Sequence, residues 1–337
     1  MKLFNPVAAA AIVLLTAGNL GAVESNATAS DSTSPESGTV NESVRRALPY
    51  LKRAGETWIE KRQCVSCHQV PFMLWSLAAA EAKGFDVDSE SLREAQAWST
   101  ELTSFVKPER KEDLDEDATM AANIDTMNGL LLAIAPDVDV SATGDPNWRS
   151  KFTKALIENQ NDDGSWKACG QLPAQKRPAD ETSQVTTMWT LLALAQSNAS
   201  AKHRASADAL IENPSPESTE WWVARLLLAK ERESDNAAKW RSELLACQNQ
   251  DGGWGWRTED ESDALATGMA LYAIIRTSTD LEADRNAISE AQRFLIETQR
   301  PDGSWAVPGT KKTTRKKPTP TSNYWGTAWA VIGLLET

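Results

Sequence analysis

Three segments of the chain share one pattern that decides its fold: QNDDGSW at 160–166, QNQDGGW at 248–254 and QRPDGSW at 299–305. All three read Q-x-x-D-G-[SG]-W. The Asp-Gly pair predicts a turn, because glycine adopts a left-handed backbone without steric cost. The Gln and Trp side chains can then bridge the ends of neighbouring helices. The interval between the first two copies is long enough for a degenerate repeat near 213–222, which has lost its glycine.

Each copy separates two kinds of helix. A polar amphipathic stretch precedes it, and a more apolar stretch follows it, at 185–195, 264–275 and 325–335. The apolar stretches align as Thr187-x-Trp189, Thr267-x-Met269 and Thr327-x-Trp329. Alternation of polar and apolar helices predicts an outer and an inner layer. The composition agrees, since Ala, Leu and Glu are abundant and favour helix.

Six helix pairs fit into the chain. The outer helices are expected near 42–61, 91–106, 148–159, 202–211, 235–247 and 283–298, and the inner helices begin near Val70, Ala118, Thr182, Ser218, Ser262 and Tyr324. One pair cannot bury its apolar face alone, so the pairs must stack. Six pairs are enough to close a circle. The prediction is an all-α ring of about six helical hairpins, with an open solenoid as the alternative.

The Q-x-x-D-G-[SG]-W segments resemble the QW motifs of the squalene–hopene cyclase and oxidosqualene cyclase family. The resemblance implies an α/α toroid over residues 42–337, a fold shared with the β subunits of protein prenyltransferases. Close motif identity is confined to the three copies. In that family the motif is structural, so no catalytic role passes to Gln160 or Trp166. One fold hosts many chemistries, and function has to be argued from the site.

An acidic cluster lies before the second predicted inner helix. Cyclases of this family protonate an alkene with the acid of a D-x-D-D motif, and the nearest match here contains Asp113, Asp115 and Asp117. The fourth residue is Glu116, and the Ala-Thr order that follows is reversed. The alternative is helix capping, because similar acidic clusters precede other inner helices and carboxylates stabilise helix N-termini. The chain also holds one toroid, whereas triterpene cyclases have a second helical domain.

The sequence lacks residues that are required for two other activities found on this fold. Prenyltransferases bind catalytic zinc through Asp, Cys and His from inner helices, but this chain has only two His, and His203 falls in an outer-helix region. Thioester proteins on this fold need a Cys-Gly-Glu-Gln sequence. The segment from Cys169 to Leu172 reads Cys-Gly-Gln-Leu and does not supply it.

The sequence Cys64-Val-Ser-Cys67-His68 is the attachment pattern for c-type haem. Its spacing places two thioethers on the haem, while the adjacent His68 coordinates the iron. The segment stands where the Asp-Gly turn stands in later repeats, so it is predicted at one rim of the ring. The sixth iron position could stay open or take one of the methionines Met73, Met120, Met127, Met188 and Met269, although a Met on an apolar helix is usually core.

Three alternatives to haem stay open for this motif. A redox-active pair is one, although its usual strand-to-helix setting is missing. The second is a disulfide between Cys64 and Cys67. A structural zinc site is the third, since Cys169 or Cys247 could complete four ligands.

The N-terminus has the pattern of a signal peptide. Lys2 precedes an apolar run at 7–17 that is too short to span a bilayer, and small residues near 20–22 suit cleavage. Residues 23–41 are polar and are predicted to be a disordered linker. The net charge of −12 argues against nucleic acid as a partner. We expect a periplasmic or secreted protein with no transmembrane segment after cleavage.

Three functional hypotheses follow from these features. The first is a haem c protein for electron transfer or sensing, with a redox partner protein. Another is a terpenoid cyclase-like enzyme or isoprenoid binder that uses the toroid cavity for an apolar small molecule. A protein-binding scaffold with zinc or a disulfide at the C-x-x-C segment is the third. Trp75, Trp189 and Trp329 lie on predicted inner helices, where they either pack or line the cavity.

Overall fold

The computed structural model describes residues 37–65, 69–140, 144–212, 215–314 and 317–337. Over these residues the chain forms thirteen α-helices and no β-strand. In chain order they are α1 (Ser37–Arg62), α2 (Val70–Ala82), α3 (Ser89–Thr100), α4 (Glu116–Ala121), α5 (Ile124–Ala133), α6 (Trp148–Glu158), α7 (Ala179–Gln196), α8 (Arg204–Leu210), α9 (Thr219–Glu231), α10 (Ala237–Ala246), α11 (Ala264–Thr277), α12 (Leu281–Thr298) and α13 (Pro320–Leu335).

Six of these helices form a closed inner ring. Each helix of the ring contacts the next, in the order α2, α5, α7, α9, α11 and α13, and α13 contacts α2. The outer partners are α1, α3, α6, α8, α10 and α12. Hydrogen bonds join the last hairpin to the first: the Tyr324 hydroxyl donates to the Gln69 carbonyl over 3.1 Å, and the Ser76 hydroxyl donates to the Ala328 carbonyl over 3.3 Å. The six-hairpin ring is confirmed, and the open solenoid is wrong.

The three repeated turns make the same set of contacts. The Trp indole N–H of each donates to a carbonyl near the end of the preceding outer helix, at Leu156, Leu244 or Leu295, over 2.6 to 2.8 Å. Its backbone N–H donates to Thr187, Thr267 or Thr327 on the following inner helix. The Gln amide donates to a backbone carbonyl in or next to the following outer helix, at His203, Ala287 or Ser43. Each turn therefore joins three helices.

The starts of two helices differ most from the sequence prediction. Helix α1 begins at Ser37, inside the segment expected to be a linker, because Val40 and Val44 lie one turn apart and both are buried. The second inner helix begins at Ile124 and not near Ala118. Residue Ala118 belongs to the short helix α4, which ends before Asn123, where the backbone leaves the helical region.

The predicted signal peptide and most of the predicted linker lie in residues 1–36, outside the described residues. In the part of the chain that is described, no helix combines the length and apolar character needed to cross a membrane.

Candidate functional site: an aromatic cavity with two carboxylates

The inner ring encloses a cavity near the beginnings of its helices. Phe72, Asp125 and Glu220 lie in the first turns of α2, α5 and α9 and reach this cavity. Five aromatic side chains line its wall: Phe72, Trp75, Trp189, Trp325 and Trp329. The ring centroids of Phe72 and Trp75 lie 5.4 Å and 5.5 Å from that of Trp329. The free volume is about 60 Å³, which suits a compact group.

Asp125 is the carboxyl group best placed for acid chemistry. Its Oδ1 accepts a hydrogen bond from the Thr186 hydroxyl over 2.9 Å, and its Oδ2 accepts one from the Cys169 backbone N–H over 2.7 Å. Burial raises the pKa of Asp125 from its usual 3.8 to about 6, although these two hydrogen bonds act in the opposite direction. The negative charge of Glu220 contributes to the higher pKa, and the positive charge of Arg177 opposes it. A substantial fraction of Asp125 is therefore protonated in mildly acidic solution.

Glu220, unlike Asp125, forms an ion pair with a buried cationic side chain. Its Oε2 lies 2.8 Å from Nη1 of Arg177, and both side chains are buried. The Arg177 guanidinium also donates to Gln175 and Thr182, so its position is fixed by several partners. The Trp189 indole N–H donates to the other Glu220 oxygen over 3.2 Å. The ion pair therefore fixes the position of the Glu220 side chain, and the indole hydrogen bond orients the Trp189 ring in the cavity wall.

The three acids predicted from the D-x-D-D resemblance lie elsewhere. Asp113, Asp115 and Asp117 are all exposed. The Asp115 side chain accepts a hydrogen bond from the Ala118 backbone N–H over 3.0 Å and caps α4. Asp113 and Asp115 border a separate groove and do not line the aromatic cavity. Asp115 therefore caps a helix, as the alternative interpretation of the acidic cluster predicted.

The structure describes only part of the predicted haem-attachment motif. Cys67 and His68 lie outside the described residues. Cys64 is partly buried beside the groove that Asp113 and Asp115 border, and burial raises the pKa of its thiol. The Cys64 carbonyl accepts a hydrogen bond from the Trp58 indole over 2.8 Å. This groove has a volume of about 480 Å³.

Three of the cysteines lie within the described residues. Cys64, Cys169 and Cys247 form no disulfide with one another. Cys169 is buried next to Asp125, and burial raises the pKa of its thiol to about 11. Within the described ranges, no group of three or more His, Cys, Asp or Glu side chains is arranged to hold a metal ion.

Sequence reasoning missed Asp125, although a signal was present. The alignment of Thr187 with Thr327 extends to Thr126, and the residues two positions later are Asn128, Trp189 and Trp329. All three of these residues line the cavity. In this register Asp125 directly precedes the aligned threonine of its inner helix. The prediction followed the acidic cluster instead, because it placed the start of this helix too early.

Comparison with solved structures identifies the architecture. A possible member of the GH105 family from Salmonella enterica has a TM-score of 0.56 at 12% identity, covering 91% of this chain and 96% of that chain. The type II terpene cyclase MstE from Scytonema, in complex with geranylgeranyl dihydroxybenzoate, also has a TM-score of 0.56 at 12% identity, covering 89% and 97%. The fold is an α/α toroid. At these identities the likeness concerns the fold alone.

Sequence comparison gives one local match. Over 62 residues, 18% of this chain, the toroid protein is 37% identical to drimenyl diphosphate synthase from Streptantibioticus cattleyicolor. The chain spans 11% of the length of that curated relative. No protein-family model matches the chain.

Proposed function

We propose that the toroid is a terpene cyclase-like enzyme that binds the alkene end of an isoprenoid in its aromatic cavity. The observation that carries this proposal is the position of Asp125, a carboxyl group with a pKa of about 6, in a cavity walled by aromatic faces. The toroid fold shared with a terpene cyclase and the local match to drimenyl diphosphate synthase support it.

Each feature of the cavity has a role in this chemistry. Asp125 transfers its proton to one carbon of a C=C bond, whose π electrons form the new C–H bond and leave a carbocation on the other carbon. A second C=C bond of the same molecule attacks this carbocation and forms a C–C bond. The final carbocation loses a proton to a carboxylate or to water, which yields a cyclic isomer. Aromatic faces attract cations and would stabilise these carbocations.

Product analysis tests this proposal. Purified protein is incubated with geraniol, farnesol and their diphosphates near pH 6, and the extracts are examined by gas chromatography and mass spectrometry for cyclic products. We expect cyclic isomers with the wild type and a loss of about 100-fold or more in D125N, since that is the usual contribution of a general acid.

D115N is the matched control, because Asp115 is exposed and caps a helix away from the cavity. This variant is expected to keep wild-type activity. Full activity in D125N, or loss of activity in D115N alone, would contradict the assignment of Asp125. Absence of cyclic products from every substrate would contradict the cyclase proposal.

We also propose that the exported protein carries covalent haem c at Cys64 and Cys67, with His68 as an iron ligand and electron transfer or sensing as its role. The groove beside Cys64 favours this second function. Phe105 and Leu114 give it apolar surface, and Lys107 and Arg110 could pair with haem propionates. When bound, haem would supply one-electron or ligand-binding chemistry at this rim.

A haem stain after denaturing electrophoresis tests the second function. The protein is exported from a host with cytochrome c maturation, beside a C64A/C67A double variant. A stained band in the wild type that is absent from the variant supports covalent haem. A colourless wild type contradicts it, and metal analysis with a thiol count would then separate zinc from a disulfide.

A further inference from the structure

Two loops on one rim of the toroid reach across the ring and meet. Residues 172–176 lie in the third hairpin, between α6 and α7, and residues 308–312 lie in the sixth, between α12 and α13. Both loops connect the end of an outer helix to the start of an inner helix, so they lie on the same rim. The third and sixth hairpins are opposite members of a closed ring of six. Their loops therefore meet over the interior of the ring, and we call this contact the crossing.

Two backbone hydrogen bonds hold the crossing together. The Lys176 N–H donates to the Thr310 carbonyl over 2.9 Å, and the Lys312 N–H donates to the Ala174 carbonyl over 3.3 Å. Short turns within residues 169–175 hold the loop of the third hairpin to itself. Surface loops that are held by a few bonds open locally while the core stays folded. The crossing can therefore separate without unfolding of the ring.

The crossing lies beside the aromatic cavity. Leu172, at one end of it, lines the cavity, and the loop that contains 308–312 leads into α13, whose Trp325 also lines the cavity. The Gln175 side chain accepts a hydrogen bond from Arg177, which pairs with Glu220 in the cavity wall. Cavity and crossing both lie where the inner helices begin. The crossing therefore covers the mouth of the cavity.

The loop of the third hairpin also contacts the proposed acid. The Cys169 N–H donates to Oδ2 of Asp125 over 2.7 Å, and the Cys169 carbonyl accepts from the Leu172 N–H over 3.2 Å. A hydrogen bond to a carboxylate stabilises its charged form. Displacement of this loop would take the donor away from Asp125, whereas its return favours release of the Asp125 proton.

The enclosed volume requires such a movement if the ligand is an isoprenoid. The cavity has a free volume of about 60 Å³, the share of about two water molecules in the liquid. Even geraniol, with its chain of isoprene units, is several times larger. Its alkene end can reach Asp125 only after the mouth has opened and the wall has moved apart.

We propose that the crossing is a gate, which separates to admit an isoprenoid chain to Asp125 and re-forms before proton transfer. This inference rests on the proposed isoprenoid function and adds the conformational step that controls access to the same site. Loops that close over a bound substrate commonly sequester the reaction from water and complete the catalytic geometry.

A disulfide that locks the crossing tests the gate. Gln175 and Lys311 form an antiparallel bridge, and the residues on either side of them make its two hydrogen bonds. The Cα atoms of such a pair lie about 4.5 Å apart, within the range that a disulfide spans. Mild oxidation of Q175C/K311C should therefore join the two loops. The reduced form of the same variant is the matched control, because it has the same side chains without the bond.

A native thiol reports opening without any substrate. Cys169 is 9% exposed in the closed gate, and opening should expose it to N-ethylmaleimide. Peptide mass spectrometry follows its modification. We expect the locked variant to be modified at Cys169 roughly tenfold or more slowly than the wild type. Cys247, at the end of α10 and outside the crossing, is the internal control and should react at the same rate in both.

Turnover supplies the second readout. We expect the locked variant to form cyclic products from farnesol roughly tenfold or more slowly than its reduced form, and dithiothreitol to restore the rate. The wild type receives the same oxidation and reduction. Thermal melts by circular dichroism establish that each form is folded. If Q175C/K311C fails to fold, A174C/K312C places the bond at two exposed residues of the same crossing.

The outcomes separate the gate from the function on which it rests. Modification of Cys169 in the locked variant at the wild-type rate overturns the gate and leaves the cyclase proposal in place. Turnover by the locked variant at the rate of the reduced form does the same. Absence of cyclic products from the wild type and every variant contradicts the cyclase proposal, and the Cys169 measurement then still decides whether the crossing opens.

Discussion

Carboxyl groups buried against aromatic or apolar surface keep their protons to higher pH, and two such groups with a pKa of about 6 occur among the described residues. Burial raises the pKa values of Asp125 and Asp263 to about 6. Asp263 caps α11 and accepts hydrogen bonds from backbone N–H groups, whereas Asp125 faces the cavity. The same electrostatic shift therefore accompanies a structural role at one residue and a proposed catalytic role at the other.

The D125N variant should change how stability depends on pH. The folded-state pKa of Asp125 exceeds its unfolded value, so the folded protein is favoured below pH 4 and loses stability as the pH rises toward and through 6. Asparagine cannot ionise, and its amide can accept from the Cys169 N–H and donate to the Thr186 hydroxyl. Urea unfolding at several pH values should show the variant gaining roughly 1–3 kcal/mol on the wild type between pH 4 and pH 7.

D115N serves again as the control for this comparison, because its site is exposed. A pH-independent difference between D125N and the wild type would show that Asp125 is ionised throughout this range and would contradict its assignment as the acid.

The buried ion pair makes a second prediction at the residue scale. R177M leaves Glu220 as an unpaired buried charge, which usually costs about 3–5 kcal/mol. R225M is the matched control: Arg225 also stacks on a Trp ring, but its partner Glu212 is largely exposed. The control should lose about 0–1 kcal/mol from the ion pair. Similar losses in both variants, measured by urea unfolding, would contradict a dominant role for burial of the pair.

At the scale of elements, the repeated turns explain why the fold could be predicted from sequence. In each copy the Gln and Trp side chains donate hydrogen bonds to two different helices, while the Asp accepts hydrogen bonds within the turn. The pattern therefore encodes contacts between helices. The degenerate repeat near 213–222 lacks this pattern, yet α9 takes its place in the inner ring because it packs against α7, α10 and α11.

The start of α5 was harder to predict. The acidic residues before Asn123 have the pattern of a helix N-terminus, and they do cap a helix, but that helix is the short α4. Which of two consecutive N-terminal signals begins the inner helix depends on packing against α2 and α7, which no local pattern contains. The error in this one boundary moved the predicted site from the cavity to the outer surface.

The Gly303 turn makes a prediction at this scale. Its φ is +84°, and a Cβ here would lie 2.0 Å from the backbone carbonyl oxygen of Arg46 on α1. G303A should therefore destabilise the protein by several times the cost of G84A, whose site has φ +80° but open space around the Cβ. The positive φ alone costs about 1 kcal/mol. Thermal melts of the two variants make the comparison, and equal losses would contradict the close contact between this turn and α1.

At the scale of the whole molecule, ring closure places the first and last hairpins in contact. Helix α13 packs on α11, α1 and α2, so almost its whole surface is buried. An open solenoid would lose only one repeat when its last helix is removed. When the same helix is removed from a closed ring, the inner faces of its two neighbours become exposed and the cavity is opened.

Deletion of residues 320–337 should therefore abolish cooperative unfolding. We expect the full chain to unfold in one transition seen alike by circular dichroism and Trp fluorescence, and the truncated chain to show no cooperative transition. A truncated protein that keeps a cooperative transition, with a denaturant dependence reduced only in proportion to its length, would contradict the importance of ring closure.

The ring as a whole could be read from sequence, but the chemistry of its centre could not. The cavity gathers side chains from five inner helices, and the high pKa of Asp125 depends on rings contributed from distant parts of the chain. The motif that begins at Cys64 differs, because its five adjacent residues form a recognisable chemical pattern that requires no knowledge of the tertiary structure.

Deuterium transfer tests the central claim, proton donation by Asp125, most directly. The protein is incubated with farnesol in D₂O near pD 6, and the recovered products are analysed by mass spectrometry and NMR. We predict one deuterium on a carbon of the former terminal C=C bond with the wild type and with D115N, and none with D125N. Deuterium incorporation by D125N at the wild-type rate, or its absence from products of the wild type, would contradict proton donation by Asp125.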